Sequence, residues 1–306
     1  MVALARVLQC APMQRTITLA HPVDLRLTLG PLAHGKRAHL VEDGAVWRST
    51  RSPAGPATIR VAGGGLSVTA EAWGSGGEWA LEHLPELVGA NDDASDFRPQ
   101  GIVGALWSRM SGLRFGRTNS VFEPTLNAII GQRVPVTAAN RSYRALLRRY
   151  GEPAPGPKPL WLQPAPDTLA AMTYEQFHPM GIERKRADTI RRAAHRAARL
   201  EEAAEMSPPQ ATTRLTALPG IGPWTAAQVV QVALGHADAV VTGDYKLPSL
   251  VCWNLAGEAR GDDDRMLELL EPYHGHRARV VRLLKAGGHR PPRYGPRLEV
   301  MPVETW

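Results

Sequence analysis

The stretch Leu218-Pro219-Gly220-Ile221-Gly222-Pro223-Trp224-Thr225-Ala226 constrains this chain more than any other. Two glycines two apart sit between apolar segments of helical spacing, which predicts a tight hairpin joining two short helices. Glycine lets the backbone turn through positive φ and lets peptide N–H groups approach a surface with no Cβ in the way. Pro223 falls at the first position of the second helix, predicted from Pro223 to about Leu234, where its missing N–H costs nothing. N–H groups gathered at such a helix start form an anion site suited to a nucleic-acid phosphate. About twenty residues on, Val240-Val241-Thr242-Gly243-Asp244-Tyr245 is an apolar approach ending in one carboxylate. Gly-x-Gly alone is more often an ordinary turn; the longer string followed by the aspartate is far more specific.

A chain of 306 residues with 43% hydrophobic content can bury two or three subdomain cores. Its formal charge of +7 fits a polyanionic partner, although a genomic preference for arginine would produce the same excess. The two cysteines, Cys10 and Cys252, can form neither a disulfide framework nor a four-cysteine iron–sulfur cluster. No run of eighteen apolar residues is present, and residues 1–10 lack the apolar centre of a secretory leader, so a soluble, cytoplasmic chain is expected. Histidines are scattered without ligand-type spacing, and no Walker loop occurs; no metal site is expected.

Alternating apolar and polar residues predict strands at Thr16–Leu19, Leu25–Leu29, Ala45–Arg48, Thr58–Val61 and Leu66–Thr69, with Gly63-Gly64-Gly65 as a turn. One helix is expected over Glu78–Val88. From Pro99 onward, three- and four-residue spacing predicts helices at Gln100–Ser111, Val121–Ile130, Pro135–Tyr150, Asp167–Met172, Glu175–Met180, Glu183–Leu200, Pro208–Ala217, Pro223–Leu234, Tyr245–Leu255, Asp263–Leu270 and Gly275–Lys285. The connector 151–166, with six prolines, reads as a loop. Three segments follow: a sheet subdomain over 1–96, a helical core over 97–290 and an irregular tail over 291–306. The helix Arg184–Arg199 carries seven Arg or Lys in sixteen residues and reads as a solvated face or a phosphate contact.

The hairpin with its trailing aspartate resembles the helix-hairpin-helix DNA glycosylase superfamily, and within it the 3-methyladenine DNA glycosylase II family. The resemblance extends upstream through Gly112-Leu113-Arg114-Phe115 and Phe122-Glu123-Pro124-Thr125-Leu126-Asn127-Ala128-Ile129-Ile130-Gly131-Gln132-Arg133-Val134, covering roughly residues 100–290. It implies an α+β fold: a helix-hairpin-helix core of two helical subdomains behind an N-terminal antiparallel sheet. It implies a monomer that excises alkylated purines from double-stranded DNA, with the damaged base swung out of the stack. Leu218, Pro219, Gly220, Ile221, Gly222 and Thr225 would hold the DNA backbone, and a bound monovalent cation at the hairpin is compatible with the family. Gln132 and Arg133 match its wedge loop, Gln132 hydrogen-bonding to base edges and Arg133 either stacking on bases or contacting phosphate. Asp244 would be catalytic, opposing the sugar cation, or would merely cap a helix; Asp238 is the nearest competitor. Trp224, Gln228, Tyr245 and Phe122 are candidates for the base pocket, with core packing the alternative for Trp224 and Phe122. Relatives that also cut the strand carry a lysine where this chain has Trp224, so a monofunctional enzyme is expected. The departure from the family lies at Gln228 and along the last helix, where further pocket aromatics can occur. A DNA-binding protein without turnover, or a glycosylase for deaminated or oxidised bases, are the alternatives.

Overall fold

The computed structural model describes residues 11–32 and 38–292. Cys10 and nearly all of the segment predicted as an irregular tail lie outside the described residues. The N-terminal part begins with β1 (Met13–Val23) and α1 (Leu25–Leu29), then β2 (His39–Glu42), β3 (Ala45–Ser52) and β4 (Gly55–Trp73). These four strands make an antiparallel sheet in the order β1-β4-β3-β2. Two sequence expectations fail here. Leu25–Leu29 is one short helix rather than a strand, because Asp24 Oδ1 accepts from the Arg26 and Leu27 N–H groups at 2.9 and 3.0 Å. Five residues of alternating polarity cannot distinguish the two periods, and the cap decides. Gly63-Gly64-Gly65 does not end a strand either. β4 runs through it with all three glycines at positive φ, and a Cβ on Gly63 would stand 2.7 Å from the Ser67 carbonyl oxygen. The kink separates the half of β4 that pairs with β3 from the half that pairs with β1.

One sheet face is apolar (Leu19, Val46, Ile59, Val61, Val68) and is covered by α1, α2 (Gly77–Glu82) and α3 (Leu84–Leu87), two short helices in place of the single predicted one. The other face carries Trp47 stacked on Trp73 with ring centroids 5.4 Å apart. The proline-rich connector closes over that pair: Leu160 and Ala154 pack against the tryptophans. It is therefore not a bare loop. Within it β5 (Glu152–Pro153) and β6 (Trp161–Leu162) pair antiparallel, and Ser49 Oγ donates to the Trp161 carbonyl at 2.8 Å.

The remainder is helical: α4 (Gly101–Arg109), α5 (Phe122–Gly131), α6 (Val136–Tyr150), α7 (Pro166–Ala171), α8 (Tyr174–Phe177), α9 (Arg184–His195), α10 (Ala197–Glu201), α11 (Pro208–Thr216), α12 (Pro223–Ala233), α13 (Leu247–Ala256), α14 (Asp263–Leu270) and α15 (Arg277–Gly287). The predicted helix Glu183–Leu200 is broken at Arg196 into α9 and α10. Among the described residues two helical cores form. One draws on Val121 to Ala233 and includes Leu126, Ile129, Leu146, Phe177, Ile190 and Val229. The other joins Phe97–Phe115 to Val241–Leu284, segments more than a hundred residues apart. A fully buried ion pair fastens that second core. Arg279, 0% exposed, donates to Asp92, whose side chain is 4% exposed, at 2.6 and 2.9 Å. The guanidinium also lies over the rings of Phe97, Trp107 and Phe115.

Candidate active site

The predicted hairpin is present, and its two glycines do different work. Gly220 adopts φ +99°, and a Cβ there would fall 2.2 Å from Thr189 Oγ1 on α9, so both the conformation and the close approach require glycine. Gly222 is the N-cap of α12, with Pro223 at the first position, and a Cβ on it would meet nothing within 4 Å. Its open side is free for a ligand to approach. The side chains of Leu218, Ile221 and Thr225, expected among the DNA-holding residues, are buried and anchor the hairpin from within. Pro219, Gly220 and Gly222 remain as its accessible rim. Gly220→Ala is expected to cost about 1–3 kcal/mol of stability, since it combines a strained φ with a clash against α9. Chemical denaturation measures this, and an unchanged midpoint would show that α9 yields to the methyl group.

The arginine-rich helix α9 proves to be more than a solvated face. Arg186 is buried and its guanidinium donates to the carbonyls of Ile130 at 2.8 Å and Gly181 at 3.0 Å, holding the end of α5. Arg192 Nε donates to the Pro219 carbonyl at 3.1 Å. Between α5 and α6 lies the loop bearing Gln132 and Arg133. Gln132 Nε2 donates to the Gly220 carbonyl and to Thr225 Oγ1, both at 2.9 Å. In this conformation its amide N–H groups tie the loop to the hairpin. Arg133 is exposed and held at φ +56°, a left-handed conformation that commonly falls to glycine after a helix. For a residue other than glycine that conformation costs roughly 1–3 kcal/mol.

Trp224 stands at the seam between the helical cores and packs against both. Its ring edge lies beside Gly131, where a Cβ would come within 3.5 Å of Trp224 Cη2. Gln228, one turn later on α12, is half-buried. Phe122 is 6% exposed and belongs to the first helical core. Tyr245 is 81% exposed, so its ring encloses nothing in the free protein. Packing thus accounts for Phe122, and Trp224 is the aromatic ring left at the seam.

Val241 packs in the same core that Trp224 borders, and three residues later the chain reaches Asp244 at the start of α13. Asp244 Oδ1 accepts from the Lys246 and Leu247 N–H groups at 2.8 and 3.0 Å. These bonds close a turn just ahead of α13, whose N-cap is Lys246, and they occupy one carboxylate oxygen. Lys285 on α15 is drawn below the ordinary lysine range by desolvation, with the Asp244 carboxylate pulling the other way and Arg282 adding to the lowering. Arg282 itself is pushed down to about 10 by burial, then by Arg279 nearby. Its guanidinium lies 3.7 Å from the Phe115 ring centroid. Asp238 is accounted for differently. Arg277 grips it at 2.6 and 2.9 Å, and although burial alone would raise its carboxyl, these bonds hold it below the ordinary aspartate range. It is a structural partner. A cavity of about 280 Å³ lies elsewhere, among Asp96, Arg98, Tyr273, His274 and His276, and takes in neither Trp224 nor Asp244.

With this geometry in place, the chain can be set beside known proteins. DNA-3-methyladenine glycosylase 2 of Escherichia coli (strain K12) is 31% identical over 149 residues, 47% of this chain and 52% of that protein. YfjP of Bacillus subtilis (strain 168), named as a candidate DNA-3-methyladenine glycosylase, is 24% identical over 178 residues, 56% of this chain and 61% of that protein. The chain is a relative of the 3-methyladenine DNA glycosylases. Each match spans less than two thirds of the relative's own length. No protein-family model matches the chain. Among solved structures, the 3-methyladenine DNA glycosylase of Archaeoglobus fulgidus superposes with a TM-score of 0.74 at 22% identity, covering 89% of this chain and 97% of that one. The 8-oxoguanine glycosylase/lyase of Clostridium acetobutylicum gives 0.67 at 13% identity, covering 90% and 98%. At such identities the likeness establishes the fold, and this relative has the α+β helix-hairpin-helix glycosylase fold, sheet included.

Proposed function

We propose that this chain is a monofunctional DNA glycosylase that releases alkylated purines of the 3-methyladenine type from duplex DNA. The observation that carries the reading is the pairing of an open hairpin rim at Gly220 and Gly222 with a carboxylate, Asp244, at the start of α13, in the core that Trp224 borders. A glycosylase must expose a bond that stacking hides, so the nucleotide is swung out at a cost of a few kcal/mol. The hairpin grips the backbone through N–H groups at the start of α12. The loop at Arg133, fastened to the hairpin by Gln132, faces the gap left in the stack. As the base leaves, positive charge grows on the sugar, and a fixed Asp244 carboxylate opposes it. The same group can orient or deprotonate the attacking water. The Trp224 ring offers an electron-rich face to a cationic alkylated base. It carries no amine for a Schiff base, which supports base release without strand cleavage.

Incubation with duplex DNA treated with dimethyl sulfate tests this, with released bases identified by mass. Free 3-methyladenine, with abasic sites left in intact strands, is the expected result. Retained binding to the duplex with no released base would leave a DNA-binding protein and overturn the enzymatic reading.

A further inference from the structure

Asp244 sits in a turn that has few supports of its own. Gly243 is exposed, at φ +79°, and a Cβ on it would touch nothing within 4 Å. Thr242 and Asp244 are half-buried, and the turn connects the buried Val241 to α13. Left to itself, a glycine in open space can swing through a wide range of φ and ψ, carrying the next side chain with it. Beside the bonds that Asp244 Oδ1 accepts within the turn, one from another helix ties the glycine down. The N–H of Gly243 donates to Asp263 Oδ2 at 2.7 Å, a short, charge-assisted bond from the first turn of α14. The carboxylate's other oxygen, Oδ1, is buried and has no hydrogen-bond partner among the described residues. Among the described residues that side chain therefore has a single hydrogen bond, and it is made to the turn that holds Asp244.

We propose that Asp263 is a positioning residue: by holding the Gly243 N–H it fixes the direction in which Asp244 presents its free oxygen. The two carboxylates then have distinct tasks. Asp244 anchors one oxygen on the α13 N–H groups and offers the other to the sugar, while Asp263 sets the backbone from behind. Leaving Oδ1 of Asp263 buried and unpaired is unfavourable, and a stabilising surface role does not require it. The packing of α14 against α13 makes the brace rigid, since Met266 and Leu270 are buried in the same core as Leu247 and Val251. Nothing in the composition of Asp262-Asp263-Asp264 distinguishes the middle residue. Asp262 caps α14 through the Arg265 N–H at 2.9 Å, and Asp264 is exposed.

This inference rests on the proposed excision activity, and the test separates the two. Asp263→Ala and Asp263→Asn are compared with the wild type in single-turnover release from duplex treated with dimethyl sulfate, and in affinity for a duplex carrying a tetrahydrofuran abasic analogue. Asp263→Ala is expected to slow release about 10- to 100-fold, the scale set by ångström-size misplacement of a reacting group. Affinity for the abasic duplex should change by less than about threefold, because the hairpin rim is untouched. Asp263→Asn retains an acceptor for the Gly243 N–H and should restore release to within about threefold of wild type. Release by Asp263→Ala at the wild-type rate overturns the proposal, as does an Asn variant as slow as the Ala variant. A wild type that releases nothing removes the excision reading and this inference together; an active wild type with an indifferent Asp263→Ala removes this inference alone. Hydrogen exchange at the Gly243 amide in the wild type keeps the proposal open to refutation even if the Ala variant does not fold. Exchange at least tenfold slower than in an unprotected peptide is expected, and exchange at the unprotected rate refutes it.

Discussion

Asp244→Asn is expected to lower base release by about 10²–10³-fold while leaving duplex affinity and the unfolding midpoint close to wild type. The substitution isolates charge from architecture. Asparagine keeps a side-chain oxygen that closes the same kind of turn, so the bonds from the Lys246 and Leu247 N–H groups can survive. What disappears is the negative charge that opposes the sugar cation. Each factor of ten corresponds to about 1.4 kcal/mol of transition-state stabilisation, so the loss is roughly 3–4 kcal/mol. Single-turnover kinetics measure it directly, and undiminished release by Asp244→Asn would remove this residue from the mechanism. The contrasting variant is Asp238→Asn. It breaks a clamp with Arg277 and should show its effect in stability, not in chemistry.

The largest effect on stability is expected at Arg279. Replacing it with methionine leaves Asp92 in a dry interior with its guanidinium partner gone, and breaking such a pair typically costs about 3–5 kcal/mol. The rings of Phe97, Trp107 and Phe115 lose their cation as well. Chemical denaturation of the single variant should give a clearly lower midpoint. Adding Asp92→Asn should recover part of the loss, because the neutral amide is cheaper to bury and can still accept from the Phe115 N–H, which Asp92 Oδ2 now does at 3.0 Å. A double variant no more stable than Arg279→Met alone would show that the charge on Asp92 is not the source of the penalty. The pair joins the segment before α4 to α15.

Much of the candidate site could be read in the residues. Gly220 and Gly222 with Pro223 announce the hairpin because so few residues tolerate its dihedral angles and its closeness to a neighbouring helix. The apolar run into Thr242-Gly243-Asp244 marks where a carboxylate meets a helix start. Side-chain direction was not legible. Thr225 looks like a surface hydroxyl in the string but is 2% exposed and accepts from Gln132. Gln132 resembles a reading residue, yet its amide closes the loop onto the hairpin. Asp263 lies in a run of three aspartates that no spacing rule can tell apart.

By itself, then, the sequence determined the local features whose cause is local: the glycine turn, the proline-started helix, the alternation of most of the strands, and the near absence of cysteine chemistry. Tertiary structure alone decided which distant groups meet. It paired Asp92 with Arg279, joined Phe97–Phe115 to Val241–Leu284 in one core, folded the proline-rich connector over Trp47 and Trp73, and set Asp263 behind Asp244. The physical reason is range. Backbone dihedrals and capping are settled within a few residues, whereas a buried ion pair or a braced turn depends on contacts whose partners the chain must bring together from far along its length.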